Sequence, residues 1–217
     1  MIRLLVILAA LAASVPTALA QHGSQPMHRH FSDAERWAQV FDDPKRDAWQ
    51  KPHEVIAALA LAPQARVADI GSGTGYFAVH LARAVPEGKV YGADLEPDMV
   101  RFLNARAAKE KLANLTSHVA AADDPKLAAP VDLILMVDTY HHIGTRAQYF
   151  AKLRAALRPG GRVAIIDFKR NSPTGPPPSA RIAPAQVEKE MAQAGYRKTA
   201  GHDFLPYQYF LMFEPAG

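Results

Sequence analysis

The stretch Val67–Ala82, VADIGSGTGYFAVHLA, constrains this chain more than any other. Residues 66–70 have the mostly apolar character of a buried strand, Gly71, Gly73 and Gly75 follow as a turn, and Phe77, Leu81 and Val85 then recur every four residues, as one face of a helix does. Three glycines in five positions let a backbone bend tightly, take positive φ and approach a ligand where a Cβ would collide. A helix opening behind such a turn aims its unpaired N–H groups at the same spot. Strand, turn and helix therefore form one ligand-cradling unit.

Two ligand classes use such a turn. A dinucleotide fingerprint needs a glycine or alanine three residues after its second glycine, so that helix and strand pack closely around a pyrophosphate. Tyr76 occupies that position, and an acid, Asp69, sits two residues before Gly71. A carboxylate there repels a phosphate and suits an ammonium group, which makes nicotinamide redox chemistry a poor match. The pattern Asp69, Gly71, Gly73, Gly75 resembles motif I of the class I S-adenosylmethionine-dependent methyltransferases, and the resemblance runs from about Ala65 to the C-terminus. It implies an α/β fold: a Rossmann-like, seven-stranded, mostly parallel sheet with an antiparallel last strand and helices on both faces. It also implies S-adenosyl-L-methionine as cofactor, its methionine part held by Asp69, Gly71, Gly73 and Gly75.

Length and composition agree with one such domain. A chain of 217 residues with 49% hydrophobic content buries a full core. The net charge of +4 falls to +3 without residues 1–20, where Arg3 is the only charge, and no Lys/Arg stripe forms, so nucleic acid is not an expected partner. The absence of cysteine excludes disulfides, thiolate nucleophiles and cysteine zinc sites.

Residues 1–20 carry Arg3, an apolar run Leu4–Ala13, a break at Ser14 and Pro16, and Ala18-Leu19-Ala20 before Gln21, the composition of a secretory signal cleaved after Ala20. The expected location is then the periplasm, with no stable membrane span after cleavage; without that signal it is the cytoplasm. Residues 21–31 read as a flexible leader, 32–64 as an N-terminal helical cap and 65–217 as the main domain. Within the cap, Ser32 and Glu35 have capping-box spacing before a helix carrying Trp37, Val40 and Phe41, a second piece carries Trp49, and Pro52 starts a third. The two tryptophans either glue the cap to the sheet or wall a pocket beneath it.

From Ala65 onward, strands alternate with helices, which argues for a parallel sheet covered on both faces. The second strand ends on Asp94, about 20 residues past the glycine turn, where an acid accepts ribose hydroxyls; Asp94 resembles the family's motif II acid. After the third strand, Leu115–Ala120, the family places an acid against adenine. Ala121 stands there, leaving Asp123 or Asp124 as candidates, with a plain turn at Asp124-Pro125 as the alternative. The fourth strand, Val131–Val137, runs into Asp138-Thr139-Tyr140-His141-His142, at the carboxyl end of the sheet where ligands bind. This arrangement resembles the family's motif IV, particularly in quinone C-methyltransferases. Thr145–Gln148 has capping-box spacing for a helix ending at Arg158-Pro159-Gly160-Gly161, and LRPGGRVAIIDF matches the family's turn into the fifth strand. A Pro-, Ser- and Gly-rich loop, 170–178, is expected over the site, and strands at 196–205 and 208–213 must be antiparallel because so little chain joins them.

The implied chemistry is methyl transfer to a small-molecule acceptor. The sulfonium methyl is already activated, so the protein must align the acceptor and, for a hydroxyl, activated carbon or protonated amine, accept a proton. His141 and His142 are the candidate bases and Asp138 a further cofactor contact. Asp138 and Asp167, ending neighbouring strands, suggest instead a magnesium site of the catechol O-methyltransferase kind, but Phe168 stands where an amide ligand is needed. No resident metal is expected. A different class, a non-catalytic binding protein that keeps the cofactor cleft, fits export to a compartment poor in methyl donor.

Overall fold

A computed structural model of the chain describes residues 31–217; the expected signal and nearly all of the leader lie outside them. Seven strands form one sheet in the order β3-β2-β1-β4-β5-β7-β6. They are β1 Arg66–Ile70, β2 Lys89–Asp94, β3 Leu115–Val119, β4 Val131–Val137, β5 Leu157–Phe168, β6 Tyr196–His202 and β7 Gln208–Pro215. β1 to β5 pair in parallel, and β7 runs antiparallel to both β5 and β6, as expected of the reversed final strand. The chain order places β1 and β4 side by side at the sheet centre, where the direction of winding reverses and a crevice opens beyond their carboxyl ends.

β4, VDLILMV, shows why the sheet is a sandwich filling. Leu133 and Leu135 face one core with Val67, Val90 and Phe210, whereas Ile134 and Met136 face the other with Ala68, Ile165 and Phe150. Alternate side chains of a strand point to opposite faces, so an unbroken apolar run demands cover on both. Each of the fully buried Leu, Ile, Val, Met and Phe side chains among them contributes roughly 1.5–3 kcal/mol of burial. Cover comes from α3 Pro52–Leu59, α4 Tyr76–Ala84 and α5 Pro97–Lys109 on the first face and from α6 Arg146–Leu153 and α7 Pro184–Gln193 on the second.

The N-terminal cap adds α1 Ala34–Phe41, a 3-10 turn and α2 Asp47–Gln50. α1 is capped by Asp33, whose carboxylate accepts from Arg36 N at 3.2 Å, and not by Ser32. The cap is tied to α5 twice: Asp33 N donates to Asp98 at 3.1 Å, and Arg106 donates to Asp42 at 2.8 Å.

Three further local expectations fail. Thr145 precedes α6 but makes no side-chain capping bond, and α6 ends at Leu153. Arg158-Pro159-Gly160-Gly161 belongs to β5, where it bulges out between the pairs Val131–Leu157 and Leu133–Arg162. β6 ends at His202, leaving residues 203–207 as the loop to β7. The 170–178 loop is ordered by the buried Arg181, whose guanidinium donates to the carbonyls of Ser172 (2.7 Å), Pro176 (2.8 Å), Arg170 (2.9 Å) and Thr174 (3.1 Å).

Candidate active site

Beyond the end of β1, Gly71, Gly73 and Gly75 take φ of +75°, +52° and +92°, the left-handed region that favours glycine. Two of them are also required by packing. A Cβ on Gly71 would stand 2.2 Å from Thr139 Oγ1, and one on Gly75 would stand 2.2 Å from Leu103 Cδ1. Gly73 differs, because a Cβ there would meet only the Phe41 ring, at 3.6 Å. Its N–H donates to Asp94 Oδ2 at 2.8 Å, while Glu96 N donates to Asp94 Oδ1 at 3.0 Å. Asp94 thus fixes the turn from the end of β2.

Phe41 closes a cavity of about 120 Å³ above this turn, lined also by Arg46, Asp69, Gly71, Tyr76 and Asp138. Asp69 is buried, and burial, reinforced by the charge of Asp94, pushes its carboxyl up to about 7. Asp138 stands at the end of β4 with φ of +55°. It accepts from Gln50 Nε2 at 3.1 Å and from Gln208 Nε2, and lies 3.8 Å from Arg46. Burial, followed by the charge of Asp167, raises it also to about 7.

Behind Asp138 the turn 139–142 carries the two histidines. His141 is buried, and its Nδ1 lies 2.9 Å from both oxygens of Asp167. The same carboxylate accepts His141 N at 3.1 Å and Phe168 N at 2.7 Å. Burial works against a charge on His141, but the hydrogen bond and charge of Asp167 outweigh it, and the imidazole pKa is raised. A carboxylate on Nδ1 fixes the ring and its tautomer and supports a proton arriving at Nε2, the arrangement that makes an imidazole a general base. His142 is half-buried, with its ring 4.2 Å from that of His141 and 6.1 Å from Phe31.

Residues 67–161, a little under half of the chain, match the family described as methyltransferase domain. A demethylmenaquinone methyltransferase of Deinococcus radiodurans is 28% identical over 125 residues, 58% of this chain and 48% of that one. A solved S-adenosylmethionine-dependent methyltransferase of Aquifex aeolicus superposes with a TM-score of 0.76 at 26% identity, over 83% of this chain and 97% of its own. The fold is the Rossmann-like methyltransferase fold. A further structure with it is an O-methyltransferase from neocarzinostatin biosynthesis, in complex with S-adenosyl-L-homocysteine and 1,4-dihydroxy-2-naphthoic acid. It has a TM-score of 0.70 and 17% identity, over 85% of this chain and 59% of that one. This chain spans about half the length of the curated demethylmenaquinone methyltransferase it matches.

Within the methyltransferase fold, the structure brings Asp69, Gly71, Gly73, Asp94 and Asp138 together at the crevice, with His141 and His142 on the adjoining turn and Gly75 at the head of α4. Asp123 and Asp124 are not brought there. Asp123 is exposed and pairs with Lys152 at 3.0 Å, and Asp124 closes a turn by accepting from Lys126 N at 2.7 Å; both line a separate groove. Asp167 acts on His141, and both its oxygens accept from donors, His141 N and Nδ1 and Phe168 N. Arg46, Gln50 and Gln208 had no sequence signal, since no local motif marks them. Asp167 had one: the ends of β4 and β5 are neighbours, so an acid there must lie beside residues 138–141.

The residues present fit the sulfonium cofactor. The hydroxyls of Ser72 and Thr74, both lining the cavity, are buried without a hydrogen-bond partner, and the Gly73 cradle is open where a Cβ would meet only the ring of Phe41. Each buried hydroxyl left unpaired costs about 1–3 kcal/mol, so the site has polar groups to offer a ligand. The cavity is nonetheless smaller than the roughly 300–1,000 Å³ of whole-ligand pockets, enough for a tail but not for a nucleoside beneath Phe41.

Proposed function

We propose that the chain binds S-adenosyl-L-methionine in this crevice and transfers its methyl group to a small-molecule acceptor seated towards the 139–142 turn. The observation that carries the reading is a buried carboxylate, Asp69, beside a three-glycine turn whose second N–H is already held by Asp94. Such a turn has acids where a diphosphate would need donors, and suits an ammonium and a sugar diol.

In this reading Asp69 and the Gly71–Gly75 turn hold the amino acid end, and Asp94 exchanges part of its grip on the turn for ribose hydroxyls. Leu95 and Val119, exposed at the carboxyl ends of β2 and β3 and flanking Asp94 in sequence and in register, offer apolar surface to a flat base. When bound, the cofactor supplies an activated methyl group. The chain's own work is then to align the acceptor, exclude water under the cap and take a proton at His141 Nε2, with Asp167 holding the ring. Trp49, packed against Phe168 and Tyr207 at 6.1 and 5.8 Å, gives the region an aromatic wall suited to a planar acceptor. Relatives whose names state demethylmenaquinone methylation support a small-molecule acceptor.

Calorimetric titration with S-adenosylmethionine, S-adenosylhomocysteine and NAD, followed by transfer of labelled methyl to small molecules of a cell extract, tests the proposal. Binding of the first two with transfer supports it. Binding without transfer to any acceptor supports a non-catalytic binding protein, and binding of NAD alone overturns the cleft assignment. Residues 1–20 belong to the proposal as a cleaved secretion signal, tested by whether the mature N-terminus is Gln21.

A further inference from the structure

The cavity that Asp69 lines also holds a cation from another part of the chain. Arg46, in the turn between α1 and α2, enters it from the N-terminal cap. Its guanidinium lies over the Tyr76 ring at 4.6 Å and near the Trp49 ring at 5.8 Å; Nε donates to Gln50 at 2.7 Å and Nη1 to the Phe41 carbonyl. Gln50 in turn holds Asp138. The Nη2 end reaches Asp138 only at 3.8 Å, an ion pair beyond hydrogen-bonding distance. A guanidinium carries five N–H donors in a planar fork shaped for a carboxylate. Two are used here, and the side chain is only 16% exposed. One small cavity thus presents an ammonium-seeking acid and a carboxylate-seeking fork.

We propose that Arg46 binds the α-carboxylate of the cofactor's amino acid tail, so that the cavity reads the whole zwitterion, with Asp69 taking the ammonium. Because Arg46 also holds the Phe41 carbonyl, the bound tail anchors the backbone of the cap beside the glycine turn, while the Phe41 ring over Gly73 gives way to the nucleoside. This assignment rests on the proposed cofactor cleft and adds the tail-reading residue to it.

The test compares three ligands on wild type, Arg46→Gln and Arg46→Lys by calorimetry: S-adenosylhomocysteine, its decarboxylated analogue, and methylthioadenosine, which lacks the tail. Thermal melting without ligand checks that each variant is folded. Wild type should prefer S-adenosylhomocysteine to the decarboxylated analogue by at least tenfold. Arg46→Gln should lose at least tenfold for S-adenosylhomocysteine and less than twofold for the other two, with Arg46→Lys between. Equal losses for all three ligands, or none, overturn the assignment while leaving the cleft in place. No binding of any ligand by wild type overturns the cofactor cleft and the assignment together.

Discussion

Replacing Asp69 by Asn should stabilise the ligand-free protein and destroy its affinity for the cofactor. The Asp69 carboxyl is raised from 3.8 to about 7, chiefly by burial. Three units at about 1.36 kcal/mol each place the cost of its charge near 4 kcal/mol once the pH is above both values. The native state holds a proton on Asp69 that the unfolded chain has released between pH 3.8 and 7, so stability falls as pH rises through that window and levels off beyond it. Between pH 5 and pH 8 this one group removes about 2.5 kcal/mol from the wild type, and Asp69→Asn should escape that loss. Asp138, also raised to about 7, keeps a residual slope of the same sign in the variant. Urea unfolding at pH 5, 6, 7 and 8 reads the effect, and titration with S-adenosylhomocysteine reads the affinity, which should fall at least a hundredfold. A variant less stable than wild type at pH 8, or one with an unchanged pH slope, would refute the view that this carboxylate is held at a cost to the empty fold for the sake of a cationic ligand.

Asp167→Asn should lower turnover by about two to four orders of magnitude and move the acidic limb of the pH–rate profile downward, because the group that outweighs burial at His141 is removed; in the wild type that limb should lie above the ordinary imidazole value of about 6.5, and an unmoved limb would remove His141 as the base. Gly71→Ala should lower stability by about 2–5 kcal/mol, combining positive-φ strain with the overlap on Thr139, and Thr139→Ala should recover part of the loss; thermal melting checks both. Arg181→Gln should cost about 2–4 kcal/mol by leaving buried carbonyls unpaired, with faster amide exchange centred on residues 169–176; uniform exchange across the chain would contradict that local role.

The central strands were legible because their physics is local: an apolar run such as Val131–Val137 has no place except between two covering layers, and the three glycines mark their own turn. The cap was legible only as helices. Arg46 enters the site through contacts with Tyr76 and Asp138, far away in sequence, and no spacing rule connects them. Capping boxes at Ser32 and Thr145 mislead for a related reason: the spacing permits a reciprocal bond, but the first helix starts one residue later, where Asp33 caps it by accepting from Arg36 N. After the third strand the sequence leaves open Asp123, Asp124 or a plain turn, and the structure shows the turn: Asp124 accepts from Lys126 N, and Lys152 on the neighbouring helix pairs with Asp123 in solvent. Asp138 and Asp167 end neighbouring strands, so the sequence brings them near each other and already sets Phe168 against a metal pair, but that the Asp167 oxygens accept from His141 and Phe168 N is visible only in the structure.

The most direct measurement is a crystal structure of the complex with S-adenosylhomocysteine. The account requires ribose hydroxyls within hydrogen-bonding distance of Asp94, the tail ammonium at Asp69 and Phe41 displaced from its position over Gly73. A ligand bound elsewhere, with Asp94 still gripping only Gly73 and Glu96, would contradict it.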